Sequence, residues 1–316
     1  MIPSLAVKQW ADELGFLACG ITTPAPSERA AFFDEWLARG YGGTMRYLHR
    51  QARKRKDARL IDRDARSIVV VLDNYYYSDE DGVRTGSGRP DSVRIARYAH
   101  ATDYHDVIGR RLEELADRLR GAGARHARTY ADAGPVPERE LAQRAGLGWI
   151  GKNSMLVRPG AGSFFFIGSI FTDLELQPDP PFEGDRCGSC TRCLDACPTG
   201  AFVAPRLLDA TRCISYLTIE QKGPIPEALE EHLDGWAFGC DVCNDVCPWN
   251  VKFAAETTIA SYLPRTARPI ASETFEGMDD AEFAGRFGET PFARPGLAGM
   301  RRNVRAALAS RKARSE

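Results

Sequence analysis

The sequence predicts an α/β or α+β domain, followed by a cysteine-rich module and a short, partly helical and basic C-terminal region. Two observations indicate this fold class. Strand-like and helix-like segments alternate without a clean repeat over roughly residues 1–175, and eight of the nine cysteines fall between residues 187 and 247. The chain of 316 residues is long for one domain, so we expect three parts, over residues 1–175, 176–255 and 256–316.

The spacing of apolar residues predicts the elements of the first part. Apolar positions three and four apart indicate an amphipathic helix, and β-branched runs indicate buried strands. The pattern predicts a helix over 4–14, a strand over 16–21, a helix begun by Ser27 and ended by Gly40, a strand over 67–77, a polar loop over 78–92, a helix over 103–120, a strand over 126–130, a helix over 138–145, and strands over 154–157 and 163–171 joined by a PGAG turn. Beyond the cysteines, only 300–308 is typical of a helix, which is short and basic.

The cysteines form two sets with related spacing. The first set reads C-x2-C-x2-C-x3-C-P, and the second has one separate cysteine before C-x2-C-x3-C-P. Bacterial ferredoxins use this spacing to hold [4Fe-4S] clusters, and the fourth cysteine of a motif there ligates the other cluster. The sequence therefore predicts a ferredoxin-like double [4Fe-4S] domain, with one cluster on Cys187, Cys190, Cys193 and Cys247 and the second on Cys213, Cys240, Cys243 and Cys197.

Zinc and disulfides are the alternatives for these cysteines. Structural zinc sites also use C-x2-C pairs, but two zinc sites need neither the triplet spacing nor a proline after each closing cysteine. Disulfides are disfavoured because the first residues show no secretory pattern and cytosolic thiols stay reduced. The ninth cysteine, Cys19, lies in an apolar run and is interpreted as a small buried hydrophobic residue.

The charge of the chain is balanced overall but uneven locally. The composition is 43% hydrophobic with a formal net charge of −1, which is ordinary for a globular protein. Residues 46–66 carry nine Lys or Arg against three Asp, and residues from 294 onward carry seven against one Glu. Such runs are either solvated helix faces or patches for nucleic-acid phosphate. Charged residues interrupt the first helix, and no apolar run is long enough to span a bilayer, so we expect a cytoplasmic protein without a membrane segment.

Clusters carry electrons, so the first domain should hold what receives them. A nicotinamide or flavin would often leave a Gly-rich turn between a strand and a helix, whereas GYGGT at 40–44 follows a predicted helix. Asp103, His105 and Gly109 approach the D-x-H-x-x-G signature of histidine-ligated corrinoids, but the glycine comes one residue late. We therefore interpret His105 as a polar residue at a helix start.

Outside the cysteine motifs, the stretch richest in turn residues and charged candidate site residues is YADAGPVPERELAQRAGLGWIGKNSMLV, residues 130–157. It leaves a predicted strand at Asp132, turns at Gly134 and enters a helix near Glu138. In open sheets, working groups lie at the carboxyl ends of strands. The ordinary alternative for Asp132 is a turn or N-cap aspartate.

This stretch, the ARYAHATDYH run at 96–105, the CISYLTIEQKGPIP run at 213–226 and the paired cysteine motifs together resemble the epoxyqueuosine reductase family of queuosine biosynthesis. The resemblance covers about residues 1–255 and includes the D-x-x-P-x-x-E-R pattern that begins at Asp132. It implies a base-off cobalamin between an α/β cobalamin- and substrate-binding domain and the cluster domain, similar in plan to reductive dehalogenases.

The resemblance also implies roles for individual residues. Asp132 falls on the family's catalytic aspartate and is expected to donate a proton when the epoxide loses its oxygen as water. With Asp132, the expected corrin and substrate contacts are Arg55, Tyr98, Lys152, Ser215 and Lys222. Each of these has an ordinary alternative, as a solvated cation, a core residue or a polar loop residue.

The implied reaction reduces epoxyqueuosine to queuosine in the tRNA anticodon loop, with electrons passing through both clusters to cobalamin. The expected partners are a tRNA with a GUN anticodon that carries epoxyqueuosine, contacted by the basic runs 46–66 and 294–314, and an external donor such as a flavodoxin or ferredoxin system. The protein is expected to be a monomer. Two other functions stay open: a corrinoid reductive dehalogenase, disfavoured because no twin-arginine pattern is present, and a plain electron-transfer protein, which would leave the first domain without a role.

Overall fold

The computed structural model describes residues 3–79, 91–265 and 270–313, with side chains described through residue 311. In chain order the α-helices are α1 (Ser4–Glu13), α2 (Ala30–Ala38), α3 (Arg46–Arg50), α4 (Ala52–Arg55), α5 (Tyr104–Gly121), α6 (Glu138–Arg144), α7 (Arg192–Asp195), α8 (Ile214–Ile219), α9 (Glu227–Glu230), α10 (Val242–Asp245), α11 (Pro248–Phe253), α12 (Asp280–Phe287) and α13 (Gly296–Ala313). The strands are β1 (Ala18–Thr22), β2 (Ser67–Asn74), β3 (Arg94–Ile95), β4 (Ala127–Ala131), β5 (Trp149–Ile150), β6 (Leu156–Val157), β7 (Phe165–Thr172), β8 (Phe202–Ala204), β9 (Leu207–Leu208) and β10 (Trp236–Phe238). Most of the predicted loop over 78–92 lies outside the described residues.

Four strands form the main sheet, in the order β1-β2-β7-β4. Every neighbouring pair is antiparallel, so of the two predicted classes the structure has α+β. The apolar run of β2 pairs with β7 along all eight of its residues. Alternate residues of β2 point to opposite faces of the sheet, with Val69 and Val71 in one apolar layer and Val70 and Leu72 in the other.

The chain forms two compact units, and the first comprises residues 1–74, 104–190 and 248–254. One face of its sheet is covered by α1 and α5, and the other is covered by α6. Gly168 in β7 leaves room for α5, because a Cβ there would come within 2.8 Å of Leu112. The outcome is a sheet packed on both sides, with β4 as the edge strand from which Asp132 leaves.

The second unit comprises residues 75–103, 191–247 and 255–316. Its core packs Phe238 of β10 against Phe275 and Phe292, and α13 contributes Met300 and Val304. The C-terminal helix is therefore a core element of this unit, because its apolar face is buried. The predicted division at residues 175 and 255 stays a prediction.

Most elements predicted for the first part are confirmed within about three residues. Ser27 does not begin α2, since the residue before that helix is Arg29 and no side chain caps it. The strand predicted over 154–157 is β6, and it pairs with β5, a strand that was not predicted. The short helix predicted over 300–308 is the longer α13, and α12 was not predicted. No described helix has the length and apolar character needed to cross a membrane.

Candidate active site and cluster-binding segments

Asp132 comes directly after the edge strand β4, which ends at Ala131. Its backbone lies in the left-handed region, with φ 53°, a strained conformation that concentrates at functional loops. Its side chain is 64% exposed. The carboxylate therefore stands clear of the sheet, on a loop whose backbone is held by its neighbours.

A stacked tyrosine orients the carboxylate of Asp132. Tyr104, the first residue of α5, donates a hydrogen bond from Oη to Asp132 Oδ2. Its ring stacks on Phe166 and on His105, with centroid distances of 4.2 and 4.1 Å. His105 Nε2 lies 3.8 Å from the same oxygen. His105 is indeed near a helix start, as predicted, but it also lies beside the proposed acid, and Tyr104 is a site residue that sequence reasoning missed.

Glu138, the first residue of α6, holds the backbone of Asp132. Glu138 Oε1 accepts a hydrogen bond from the Asp132 N–H at 2.6 Å. Burial raises the pKa of the Glu138 carboxyl above its usual range, and the nearby Asp132 carboxylate raises this pKa further. Glu138 therefore keeps a proton to higher pH than an ordinary glutamate, as expected where two carboxyls share one site.

The turn between Asp132 and Glu138 is tight. Gly134 has φ 157°, and a Cβ there would lie 2.8 Å from the ring of Tyr130. Arg55 Nη2 donates a hydrogen bond to the Gly134 carbonyl at 2.9 Å. Arg55 Nε is buried and has no hydrogen-bond partner among the described residues. Arg55, predicted as a corrin or substrate contact, therefore lies beside the Asp132 loop.

The β5–β6 hairpin forms hydrogen bonds both with α6, which follows the Asp132 loop, and with the segment that carries Cys187 and Cys190. Arg139 donates a hydrogen bond to the Ser154 carbonyl, and Ser154 Oγ is buried without a partner in the described part of the chain. At the hairpin turn, Lys152 Nζ donates to the carbonyls of Gly188 and Cys190, at 2.6 and 2.9 Å. Lys152, predicted as a corrin or substrate contact, thus contacts residues 187–190, which we call the first cysteine segment.

The four cysteines predicted to hold the first cluster are divided between the two units. Cys187 and Cys190 belong to the first unit, whereas Cys193 and Cys247 belong to the second. In the first unit, Trp149 Nε1 donates a hydrogen bond to Cys187 Sγ at 3.4 Å. The assignment of these four cysteines to one cluster stays a prediction.

The other four cysteines lie near one another in the second unit. Burial raises the pKa of the Cys213, Cys240 and Cys243 thiols, and Cys197 adds to the rise for all three. Such crowded thiols do not ionise readily unless a metal centre neutralises their charge. The structure therefore brings together the four side chains predicted to hold the second cluster.

N–H groups point at three of these sulfurs. They come from Ala201 toward Cys197 at 3.3 Å, from Ser215 and Tyr216 toward Cys213, and from Val242 toward Cys240. The side chain of Ser215, predicted as a corrin or substrate contact, also bonds to Cys213. Hydrogen bonds to ligand sulfurs are typical of iron–sulfur sites, so the donor set fits a cluster. Within the described ranges, no group of three or more His, Cys, Asp or Glu residues is arranged to hold a single metal ion.

A buried ion pair anchors the second cysteine segment, and sequence reasoning missed it. Arg97 is only 4% exposed, with Nη1 3.6 Å from Asp241 Oδ2 and 3.2 Å from Asp245 Oδ1. Its backbone N–H donates to Asp241 at 2.7 Å. Asp241 directly follows Cys240, so Arg97 fixes the loop that carries this cysteine. The one available signal was that Arg97 lies in the ARYAH run.

The two remaining predicted contacts lie in the second unit. The Tyr98 ring packs against Phe238 and Tyr75, at centroid distances of 6.1 and 6.5 Å. Lys222 Nζ donates to the Arg294 carbonyl at 3.1 Å. Their predicted roles toward a corrin or substrate stay predictions.

The two basic runs differ in how their charges are used. In the run 46–66, Arg50, Arg53 and Lys54 are exposed and lack ion-pair partners among the described residues. In the C-terminal run, Arg302 donates to the carbonyls of Leu217, Gln221 and Gly223. The other cations of this run that bond internally are Arg294, Arg301, Arg305 and Arg311, while Arg314 lies outside the described residues. The C-terminal arginines therefore stabilise the second unit, whereas the first run offers exposed positive charge.

Two family models match the chain. The model described as "4Fe-4S double cluster binding domain" matches residues 186–250. The model described as "Epoxyqueuosine reductase QueG, DUF1730" matches residues 55–133. The matched segments therefore contain all eight predicted cluster cysteines and the segment that leads to Asp132.

Several epoxyqueuosine reductases are similar over nearly the whole chain. An epoxyqueuosine reductase of Pseudomonas aeruginosa is 40% identical over 307 residues, which cover 96% of this chain and 84% of the relative. Another, of Cyclobacterium marinum, is 40% identical over 301 residues, 94% of each chain. A crystal structure of an epoxyqueuosine reductase with an epoxyqueuosine-modified tRNA-Tyr stem loop superposes with a TM-score of 0.83, at 29% identity, over 98% of this chain and 82% of that one. A Bacillus subtilis epoxyqueuosine reductase with its catalytic aspartate loop swung out of the active site has a TM-score of 0.83, 30% identity and the same coverage.

Proposed function

This chain belongs to the epoxyqueuosine reductase family, and on that premise we propose that it reduces epoxyqueuosine to queuosine in the anticodon loop of tRNA, with Asp132 as the proton donor. The observation that carries the proposal is the exposed Asp132 carboxylate, held at its backbone by Glu138 and at its side chain by Tyr104. The tRNA stem loop bound by a related reductase supports the choice of substrate.

The reaction removes one oxygen atom from a cyclopentane ring. Two electrons and two protons convert the epoxide to an alkene and one molecule of water. Both C–O bonds of the epoxide break, and the C–C single bond between its two carbons becomes a double bond. The departing oxygen develops negative charge, and a positioned acid stabilises this charge by proton transfer. Asp132 would supply one of the two protons, because its carboxyl is the acidic group that the loop presents, and solvent would supply the other.

We propose that a cobalamin binds beside the Asp132 loop. Arg55 Nε and Ser154 Oγ are buried without partners among the described residues, and buried polar atoms are unfavourable until a ligand or water satisfies them. Arg55 donates a hydrogen bond to the Gly134 carbonyl in this loop, and the Ser154 carbonyl accepts one from Arg139 in the helix that follows the loop. The amide side chains of a corrin fit such atoms. When bound and reduced, cobalamin supplies the electron pair for the reaction.

The contacts of the loop give the two carboxyl oxygens of Asp132 different roles. Tyr104 Oη donates to Oδ2, which leaves Oδ1 to carry and release the proton. Glu138 accepts a hydrogen bond from the Asp132 N–H, and its raised pKa favours the neutral carboxyl, which adds no negative charge beside Asp132. The swung-out loop of the Bacillus subtilis relative supports a loop that moves, and the strained backbone of Asp132 gives this chain a residue from which such a movement can start.

The eight motif cysteines would hold two [4Fe-4S] clusters, as assigned above, and the clusters would carry electrons to the corrin. The match of residues 186–250 to a double-cluster domain supports this part of the proposal. An external flavodoxin or ferredoxin system as the donor, and a monomeric state, are further parts of the proposal.

Neutralising three exposed cations should weaken tRNA binding. We expect a variant with Arg50, Arg53 and Lys54 changed to Ala to bind the tRNA less tightly, because phosphate contacts by these cations would release counterions. The slope of log affinity against log salt should fall in magnitude by roughly 2 to 3 if all three contact phosphate. Fluorescence titrations with labelled tRNA at several salt concentrations measure both quantities.

A charge-matched control separates local contacts from net charge. Arg39, Arg118 and Arg125 are also in the first unit, but they pair with Glu35, Glu13 and Asp173. Changing these three to Ala removes the same charge and should leave the salt slope near its wild-type value. Equal losses of tRNA affinity and salt slope in the two triple variants would show that the run 46–66 is an ordinary solvated helix face.

The proposed function is tested by nucleoside analysis. Protein reconstituted anaerobically with iron, sulfide and cobalamin is incubated with a reductant and tRNA that carries epoxyqueuosine, and the tRNA is then digested. Queuosine should appear as epoxyqueuosine disappears. Epoxyqueuosine left unchanged by fully loaded protein would refute the proposal.

A further inference from the structure

The indole of Trp149 is placed to act on one cluster ligand. Trp149 begins β5 and is 1% exposed. Its ring packs against Phe182 and Trp249, with centroid distances of 5.7 and 5.0 Å. This packing aims Nε1 at Cys187 Sγ, 3.4 Å away. A buried indole N–H needs an acceptor, and here the acceptor is a predicted cluster sulfur.

Lys152 adds a positive charge to the same segment. Three residues after Trp149, its ammonium donates to the carbonyls of Gly188 and Cys190. A cation bonded to the carbonyl of a ligand residue stabilises negative charge on the neighbouring cluster. The β5–β6 hairpin thus brings two donors, one neutral and one charged, to the first cysteine segment.

We propose that Trp149 and Lys152 raise the reduction potential of the cluster held by Cys187, and so make that cluster easier to reduce than it would be without the hairpin. Cluster potentials depend on hydrogen bonds to the sulfurs and on local charge. Reduction adds an electron to the cluster, so a donor to sulfur and a nearby cation both favour the reduced state. The inference rests on the proposed ligation by Cys187, which is part of the proposed function.

Trp249 supplies a matched control for Trp149. Its Nε1 donates to the carbonyl of Arg186 at 3.4 Å, and it packs on the same indole. A change of Trp249 to Phe therefore removes an indole N–H from the same aromatic group but takes no hydrogen bond from a sulfur. If packing alone matters, the two Phe variants should behave alike.

The test is a potentiometric titration of the whole reconstituted protein with redox mediators, followed by electron paramagnetic resonance. One of the two cluster transitions should shift to more negative potential in Trp149→Phe, so that the ratio of reduced to oxidised cluster at a fixed potential falls by about three- to tenfold. A tenfold change corresponds to about 59 mV for a one-electron couple. Lys152→Met should shift the same transition in the same direction, while the other transition serves as an internal reference.

The proposal is overturned if, in both Trp149→Phe and Lys152→Met, the ratio of reduced to oxidised cluster at a fixed potential stays within twofold of wild type for both clusters. It is also overturned if the potential of Trp249→Phe shifts as far as that of Trp149→Phe. Iron analysis of each variant shows whether both clusters are present. Should Trp149→Phe lose a cluster, Lys152→Met alone decides between a shift and no shift. These outcomes are independent of turnover: shifted potentials in a protein that leaves epoxyqueuosine unchanged would refute the proposed substrate and keep this inference, and unshifted potentials in an active enzyme would do the reverse.

Discussion

Asp132→Asn should lower turnover of epoxyqueuosine-tRNA by roughly 10²-fold or more, the usual scale for a positioned general acid. Asparagine has nearly the size of aspartate and can still accept the hydrogen bond from Tyr104 Oη. It has no acidic proton to give to the departing oxygen. The variant should therefore fold, keep its cofactors and bind tRNA, and lose mainly the chemical step, which single-turnover nucleoside analysis measures.

Glu138→Gln provides the comparison for this effect. Glutamine keeps an oxygen that can accept the Asp132 N–H, and Asp132 keeps its proton, so the loss of turnover should be well below that of Asp132→Asn. Near wild-type turnover of Asp132→Asn, with intact clusters and corrin, would show that the proton comes from another group. Tyr104 would then be the first candidate, because it is the hydrogen-bond partner of this carboxyl.

Removal of paired cysteines should give a large and specific change in iron content. Two [4Fe-4S] clusters correspond to about eight irons per chain. If the fourth cysteine of each motif ligates the other cluster, Cys187→Ala combined with Cys247→Ala disrupts one cluster and should leave about four irons. Cys187→Ala combined with Cys197→Ala disrupts both clusters and should leave few.

Cys19→Ala is the matched control for the cysteine variants. This thiol lies in β1, away from both motifs in sequence, and burial raises its pKa to about 12. The variant should keep about eight irons. If the Cys187 and Cys197 pair instead retains four irons, each motif holds its own cluster and the crossed assignment is wrong. Zinc in place of iron in anaerobically purified protein would contradict the clusters altogether.

The helices and strands of the first unit are predictable where apolar residues recur regularly along the whole element. The residues Ile108, Leu112 and Leu115 mark α5, and the β-branched run marks β2. The strand order β1-β2-β7-β4 does not follow from these patterns, because an apolar run shows that a strand is buried but not which strands lie beside it. The role of α13 was also missed, since its apolar positions are interspersed with arginines that bond to carbonyls of its own unit.

The candidate site was predicted unevenly for a similar reason. Asp132 and Glu138 lie in one short stretch whose resemblance to the family is visible in sequence. Tyr104 lies 28 residues before Asp132 and comes next to it through the packing of α5 on the sheet. Lys152 finds its partners 36 and 38 residues later in the chain, so its contact with the cysteine segment has no local signal.

Formation of queuosine by this protein should require cobalamin. A single-turnover reaction tests it directly: anaerobic protein with both clusters, prepared with and without cobalamin, is reduced, freed of excess reductant and mixed with an epoxyqueuosine stem loop. We expect queuosine from the cobalamin-loaded protein and none from the cobalamin-free protein. Equal yields of queuosine from the two preparations would contradict the account.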